Sequence, residues 1–219
     1  MWEREPSRVL DLLNPNEYRG ELGRAGSNVW RNVEKAFVVN GHVEMSDANF
    51  VGGLTFDKIS DTNIFIGPYP QLEQDTEALK DAGVTGVFNV QTQIDIDHRG
   101  TNWPLMCKYY KERGITPVHF PIHDFNEQHL TERLMDAAIT LNDMVNKQGL
   151  KVYVHCTAGM GRAPASVICY YILFKKISCW TDVQACDRFV KKYRKVSTPN
   201  LRAIGNAINN PAFKNLQNK

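Results

Sequence analysis

Residues 152–174 read VYVHCTAGMGRAPASVICYYILF. A short β-branched run, a stretch of small residues with two glycines, and a strongly apolar segment of helical length follow one another without a break. This is the pattern of a buried strand passing through a tight loop into a buried helix, and it allows few folds. The neighbouring sequence repeats the alternation. NIFIG (63–67) predicts a strand, and LEQDTEALKDAG (72–83) a helix stopped by Gly83. VTGVFNVQ (84–91) predicts a buried strand, PLMCKYYKERG (104–114) a helix stopped by Gly114, and ITPVHFPI (115–122) another strand. A longer helix is expected from Thr131, with Leu134, Ala138, Leu141 and Val145 on one face, and two more around 181–193 and 199–208. Strands alternating with helices predict an α/β layer fold with a mostly parallel central sheet flanked by helices. Ligands in such sheets sit beyond the carboxyl ends of the strands, where the 156–161 loop lies.

Residues 1–60 are rich in turn formers and weakly patterned, and we expect an extension wrapping the domain that follows. The opening MWEREPSRVL is charged and never develops an apolar core, so no secretory leader is expected. A formal net charge of +2 over 219 residues gives no reason to expect nucleic acid or a membrane surface as partner. No apolar run reaches the roughly 20 residues of a membrane span. Five cysteines without paired spacing are expected to be free thiols in a reducing, intracellular compartment. The spacing of histidines and cysteines matches no metal-ligand pattern, so neither metal nor cofactor is expected. The oligomeric state stays open.

Cys156 and Arg162 carry the chemistry. The spacing alone is uninformative, since Cys107 and Arg113 share it within CKYYKER, a helical pattern of bulky residues. Context separates the two copies. Around Cys156, Thr157, Ala158, Gly159, Met160 and Gly161 leave room for backbone N–H groups to turn inward around an anion. The following helix N-terminus adds partial positive charge. Arg162 is able to fork onto two phosphate oxygens. The same field favours a thiolate, which would be poised for in-line attack on a bound phosphate and sensitive to oxidation. His155 precedes the cysteine on a strand and points the other way, so it is expected to hold the loop by hydrogen bonding rather than act as a base. The departing alkoxide needs a general acid, for which PIHDFNEQHL (121–130) offers Asp124, Glu127 and His123.

HCTAGMGR (155–162) resembles the H-C-x5-R signature of cysteine-dependent phosphatases, and Asp124 with Leu130 resembles the acid loop of the dual-specificity branch. The chain is more closely similar to glucan phosphatases of the plant starch-excess type and to laforin, over about residues 14 to 208. The segments that carry this likeness are VYVHCTAGMGRAPA (152–165), PNLRAIGNA (199–207), NPNEYRGELG (14–23) and VFNVQTQIDID (87–97). The resemblance implies the dual-specificity phosphatase fold over 61–195 and a C-terminal helix in 196–219 packed back on it. It implies Cys156 as nucleophile, Arg162 as phosphate clamp, Asp124 as acid, and residues 157 to 161 as amide donors. The implied partner is a phosphorylated α-glucan, starch-like or glycogen-like, in a plastid or the cytoplasm. Phe125 matches a family aromatic that packs on the glucan; Trp103 and Tyr69 are further candidate platforms. The chain departs from the family at His98-Arg99, where the plant proteins often carry aromatics, and at Asn126, where an acidic residue is usual. WEREPSR (2–8) resembles the closing stretch of starch-binding modules at Trp2, Glu3 and Arg8, which implies such a module upstream; the alternative is an ordinary charged turn.

Three other readings share this loop. A dual-specificity protein phosphatase would use the same machinery. A phosphoinositide phosphatase is disfavoured by the uncharged Thr157, Ala158 and Met160, because a polyphosphate headgroup calls for extra cations there. A non-catalytic glucan-binding scaffold is disfavoured by retention of Cys156, Arg162 and Asp124.

Overall fold

The structure is a computed structural model describing residues 36–39, 42–45, 54–60, 62–175 and 183–217. Strands β1 (Ala36–Val39) and β2 (His42–Met45) form an antiparallel hairpin. This hairpin falls in the weakly patterned stretch 1–60, where periodicity alone does not show it. The missed signal is Asn40-Gly41 between AFVV and HVEM, the dipeptide that best suits a two-residue hairpin turn. The 14–23 lead-in and the 2–8 segment lie outside the described residues, as does most of the expected wrapping extension.

The central sheet holds β3 (Asp57–Lys58), β4 (Ile64–Gly67), β5 (Gly86–Asn89), β6 (Thr116–His119) and β7 (Val152–His155) in the order β3-β4-β7-β5-β6. The last four are mutually parallel, and β3 runs antiparallel along β4. Residues 57–58, expected in the extension, are therefore a sheet edge. Helices α1 (Glu73–Asp81), α2 (Gln93–His98) and α3 (Trp103–Glu112) connect the strands. Helix α4 (Glu127–Asn142) continues as a π-helical turn over Asp143–Lys147, then β7 leads into α5 (Arg162–Phe174). Helices α6 (Val183–Tyr193), α7 (Leu201–Ile208) and α8 (Pro211–Gln217) close the chain. Among the described residues, no helix is long and apolar enough to cross a membrane.

Strand β7 is central and buried at every position, which explains why VYVH shows no polar alternation. Helix α5 is buried from Arg162 to Leu173, an all-round apolar helix packed between the sheet and helices α4, α6 and α7. The main core cluster includes Ile64, Phe88, Leu134, Val154, Ile168 and Tyr171. A second cluster on the other face holds Leu79, Val87, Tyr110 and Tyr153. The tail comprises two helices rather than the one expected. Helix α7 packs on α4 and α5, and Phe213 of α8 is fully buried in the main core.

Two helices differ from the sequence expectation for local reasons. Helix α4 begins at Glu127, four residues before Thr131, because the Asn126 side chain accepts from His129 N at 2.9 Å and caps it. Helix α2 was not expected at all. Thr92 Oγ1 accepts from Asp95 N, and the Asp95 carboxylate accepts from Thr92 N, closing a capping box around a short turn.

Phe213 tests the tail. Phe213→Ala should cost about 3 kcal/mol through the cavity it leaves. Urea unfolding measures this, and a loss below about 1 kcal/mol would mean that α8 is not part of the cooperative core.

Candidate active site

Loop 156–161 joins the carboxyl end of β7 to the N-terminus of α5. Four consecutive carbonyls point away from its interior. Thr157 O accepts from Tyr69 N at 3.1 Å, and Met160 O accepts from Thr198 N at 2.8 Å. Between them, Ala158 O accepts from Arg194 Nη2 at 3.1 Å and Gly159 O from Arg194 Nε at 2.6 Å. The amides of residues 157 to 161 donate to no protein acceptor among the described residues. Carbonyls tied outward leave the N–H groups convergent on the other side, which is the geometry of an anion nest. Gly159 has φ +66, and a Cβ there would sit 2.1 Å from the Gly67 carbonyl oxygen. Only glycine fits this approach of loop to β4.

Arg162, at the first turn of α5, is 3% exposed. Its Nη1 donates to Asp95 Oδ2 at 2.6 Å and to Ile122 O at 2.8 Å. Its Nη2 donates to Asp124 Oδ2 at 2.8 Å and to Thr157 Oγ1 at 3.3 Å. Nε is buried with no protein partner among the described residues. The guanidinium is thus anchored through Nη1, and its Nε–Nη2 edge is engaged by protein only at Nη2. Cys156 is buried, with 4% of its surface exposed.

Asp124, in the loop ahead of α4, and Glu127, the first residue of α4, lie in different fields. Burial raises the Asp124 carboxyl above the ordinary aspartate range; Arg162 pulls it back and Asp95 raises it further. Glu127 is held below the ordinary range by hydrogen bonds from Arg202 and Asn200. Its carboxylate accepts from Arg202 Nη2 at 2.6 Å and Asn200 Nδ2 at 3.0 Å, so it is committed to α7. His123 is exposed, and its backbone N–H donates to His129 Nδ1 at 3.1 Å. Of the three candidate acids, only Asp124 touches the arginine.

Asp95 was missed as a site residue. Burial works to raise its carboxyl, yet Arg162 beside it and the Thr92 bonds hold it below the usual range. The sequence signal was the Thr-x-x-Asp capping box in QTQIDID, which fixes that carboxylate at a helix start. Gln91 was also missed: Gln91 Nε2 donates to Thr157 Oγ1 at 3.2 Å.

The candidate aromatics separate. Phe125 is 81% exposed and adopts φ 52, a backbone region that bulky residues rarely occupy. It stands beside Asp124 at a cleft of about 470 Å3 that Asn126, Arg162, Thr198, Asn200 and Arg202 also line. Tyr69 is 2% exposed, so it offers no ring face to a ligand; its backbone N–H supports the loop instead. Trp103 is half-buried, packed edge-on to Tyr110 at 6.2 Å and against His119 at 5.5 Å. It reaches the loop only indirectly, since His119 Nε2 lies 2.7 Å from the Gln91 carbonyl.

His155 is 1% exposed, and its Nδ1 lies 3.3 Å from Cys156 O. Burial lowers its pKa from 6.5 to about 3, so it is neutral at pH 7 and unsuited to be a base with a pKa near working pH.

The chain belongs to the family described as dual specificity phosphatase, catalytic domain, whose model matches residues 64–209. It is 34% identical to laforin of Mus musculus, covering 61% of this chain and 49% of laforin. It is 32% identical to the amyloplastic phosphoglucan phosphatase DSP4 of Castanea sativa, covering 49% of this chain and 29% of that protein. The chain thus spans half or less of the length of these curated relatives. The human tyrosine phosphatase-like serine/threonine/tyrosine-interacting protein shares the fold with TM-score 0.55 at 19% identity, over 69% of this chain and 92% of that one. The PTP-2 phosphatase of Cydia pomonella does so with TM-score 0.52 at 17% identity, over 69% and 87%.

The buried neutral His155 makes a stability prediction. Its folded pKa lies below its unfolded value, so its contribution is intact above pH 6.5 and is lost as pH falls towards 3. The urea midpoint should drop between pH 7 and pH 4.5, and His155→Gln should flatten that drop. An equal drop in both proteins would remove His155 as its source.

Proposed function

We propose that this chain is a cysteine-dependent phosphatase that releases phosphate from phosphorylated α-glucan through a phosphocysteine intermediate. The observation that carries the reading is the cradle: four amides, those of residues 158 to 161, opposite the outward carbonyls, beside an arginine whose Nε has no protein partner among the described residues. In this mechanism the substrate phosphate takes the amides of 157 to 161 and the Nε–Nη2 edge of Arg162, displacing Asp124 from Nη2. The Cys156 thiolate attacks phosphorus in line; the S–P bond forms as the bond to the sugar oxygen breaks. Asp124, protonated and released from Arg162, gives its proton to the leaving alkoxide. The resulting carboxylate then takes a proton from water, whose oxygen attacks phosphorus and expels the thiolate, leaving inorganic phosphate. Asp95 and the Ile122 carbonyl hold Nη1 throughout, so the fork keeps its plane as its load changes.

The glucan reading rests on two further supports. Phe125 holds a largely exposed ring beside the acid in a strained backbone, and an aromatic face suits a sugar ring. The relatives named above include a phosphoglucan phosphatase. The catalytic unit in this proposal is 61–195 with the 196–219 tail packed on it, and β3 extends it at its N-terminal edge. The amyloplastic relative makes a plastid the first compartment to examine, with the cytoplasm as alternative.

The test is phosphate release from phosphorylated amylopectin beside an aryl phosphate. Both should be cleaved by the wild type, and Cys156→Ser should lower turnover of both by about 10⁴-fold or more. Cleavage of the aryl phosphate and phosphopeptides alone would replace the glucan by a protein substrate. Asp124 makes a second prediction. Because the acid must carry a proton, kcat/KM for an aryl phosphate should fall on the alkaline side as Asp124 ionises, above the range of an exposed aspartate. Asp124→Asn should abolish that limb and lower kcat by about 10²- to 10⁴-fold. An unchanged alkaline limb would assign the acid elsewhere.

A further inference from the structure

The cradle works only if its carbonyls stay turned outward, and two of the four are held by one side chain far away in sequence. Arg194 lies just beyond the last residue of α6 and is 6% exposed. Nε and Nη2, one edge of its guanidinium, take the carbonyls of Gly159 and Ala158 at 2.6 and 3.1 Å. Nη1, at the other end, donates to Asp57 Oδ2 at 2.8 Å. Asp57 belongs to β3, outside the 64–209 stretch that the family model matches, and its side chain is 42% exposed.

We propose that Arg194, oriented by Asp57, is a positioning residue that keeps the carbonyls of Ala158 and Gly159 turned outward, so that the amides of the loop face a bound phosphate. This rests on the phosphatase reading above. The physical reason is a competition. Carbonyl oxygens turned towards the cradle would repel both the thiolate and the phosphate, whereas donors on the outer side make the inward-amide arrangement the stable one. Backbone donors at Tyr69 and Thr198 fix the two flanking carbonyls, but neither reaches the middle of the loop, where Gly159 adopts its positive φ. A guanidinium spans two adjacent carbonyls with one rigid fork, which the compact ammonium of lysine cannot do. Asp57 fixes the plane of that fork. Edge strand β3 thereby becomes part of the catalytic apparatus although it touches no substrate.

The mechanism predicts which kinetic quantities move. Phosphate affinity and thiolate reactivity both depend on the amide field and should suffer together. Proton donation by Asp124 is made on the opposite side of the cradle and should be spared.

The experiment compares wild type, Asp57→Asn and Arg194→Lys in the full chain. It measures inhibition by inorganic phosphate, the pH profile of iodoacetamide alkylation of Cys156, and the pH profile of kcat/KM on an aryl phosphate. Asp57→Asn keeps the shape of a partly exposed side chain and serves as the variant that folds if Arg194→Lys does not. The expected results for Asp57→Asn are phosphate inhibition weakened about three- to tenfold, alkylation shifted to higher pH, and an unchanged alkaline limb of kcat/KM. Arg194→Lys should show the same pattern, larger. Phosphate inhibition within twofold of wild type and an unmoved alkylation profile in Asp57→Asn would overturn the proposal. A wild type that turns over no phosphate ester would instead sink the phosphatase reading, which separates the two failures.

Discussion

Arg162 carries a full charge into a place where its side chain is 3% exposed. Removing a cation from water costs several kcal/mol unless partners replace the lost hydration. Burial works against the charge, and Cys156, Asp124 and Asp95 together outweigh it. Much of the surrounding architecture meets this one requirement. Asp95 is delivered by a capping box at the start of α2, Asp124 by the loop ahead of α4, and the Ile122 carbonyl by the segment following β6. Each anchor comes from chain that follows the carboxyl end of a parallel strand. The guanidinium is therefore where separate βα connections converge.

The two carboxylates on that arginine are not equivalent. Asp95 sits below the ordinary range, tied into its own helix start and fixed in place by Thr92. Asp124 sits above it, on a loop where the next residue has φ 52. In the proposed mechanism the pairing gives one permanent counterion and one that is exchangeable: a dianionic phosphate arriving at the Nε–Nη2 edge would compete with Asp124 and leave Asp95 alone. In the proposed mechanism this exchange places a protonated acid beside the leaving group as the clamp closes.

Much of this was legible in the sequence, for reasons that differ by element. The β7–loop–α5 unit was readable because burial on both faces forces continuous apolar runs and the nest demands small residues; Cys156, Arg162 and residues 157 to 161 followed from that. Asp124 was one of three candidates, and electrostatics that no spacing reveals separated it from Glu127, which Arg202 of α7 holds. Tyr69 was misjudged because aromatic identity carries no information about burial: its ring is inside while its backbone N–H does the work. Asp95, Gln91, Arg194 and Asp57 make their site contacts across 35 to 137 positions. Polar contacts that long leave no periodic trace, so the part these residues play emerges only from the fold, although a capping box marks Asp95 as the head of a helix.

The most direct test of the central claim is to trap the intermediate. Enzyme mixed with phosphorylated amylopectin at low pH, acid-quenched within one turnover and digested, should yield the 152–174 region heavier by one phosphoryl group on Cys156. Cys156→Ser treated identically should show no thiol-linked phosphate. Steady release of phosphate from the glucan with no modified Cys156 at any quench time would contradict the account.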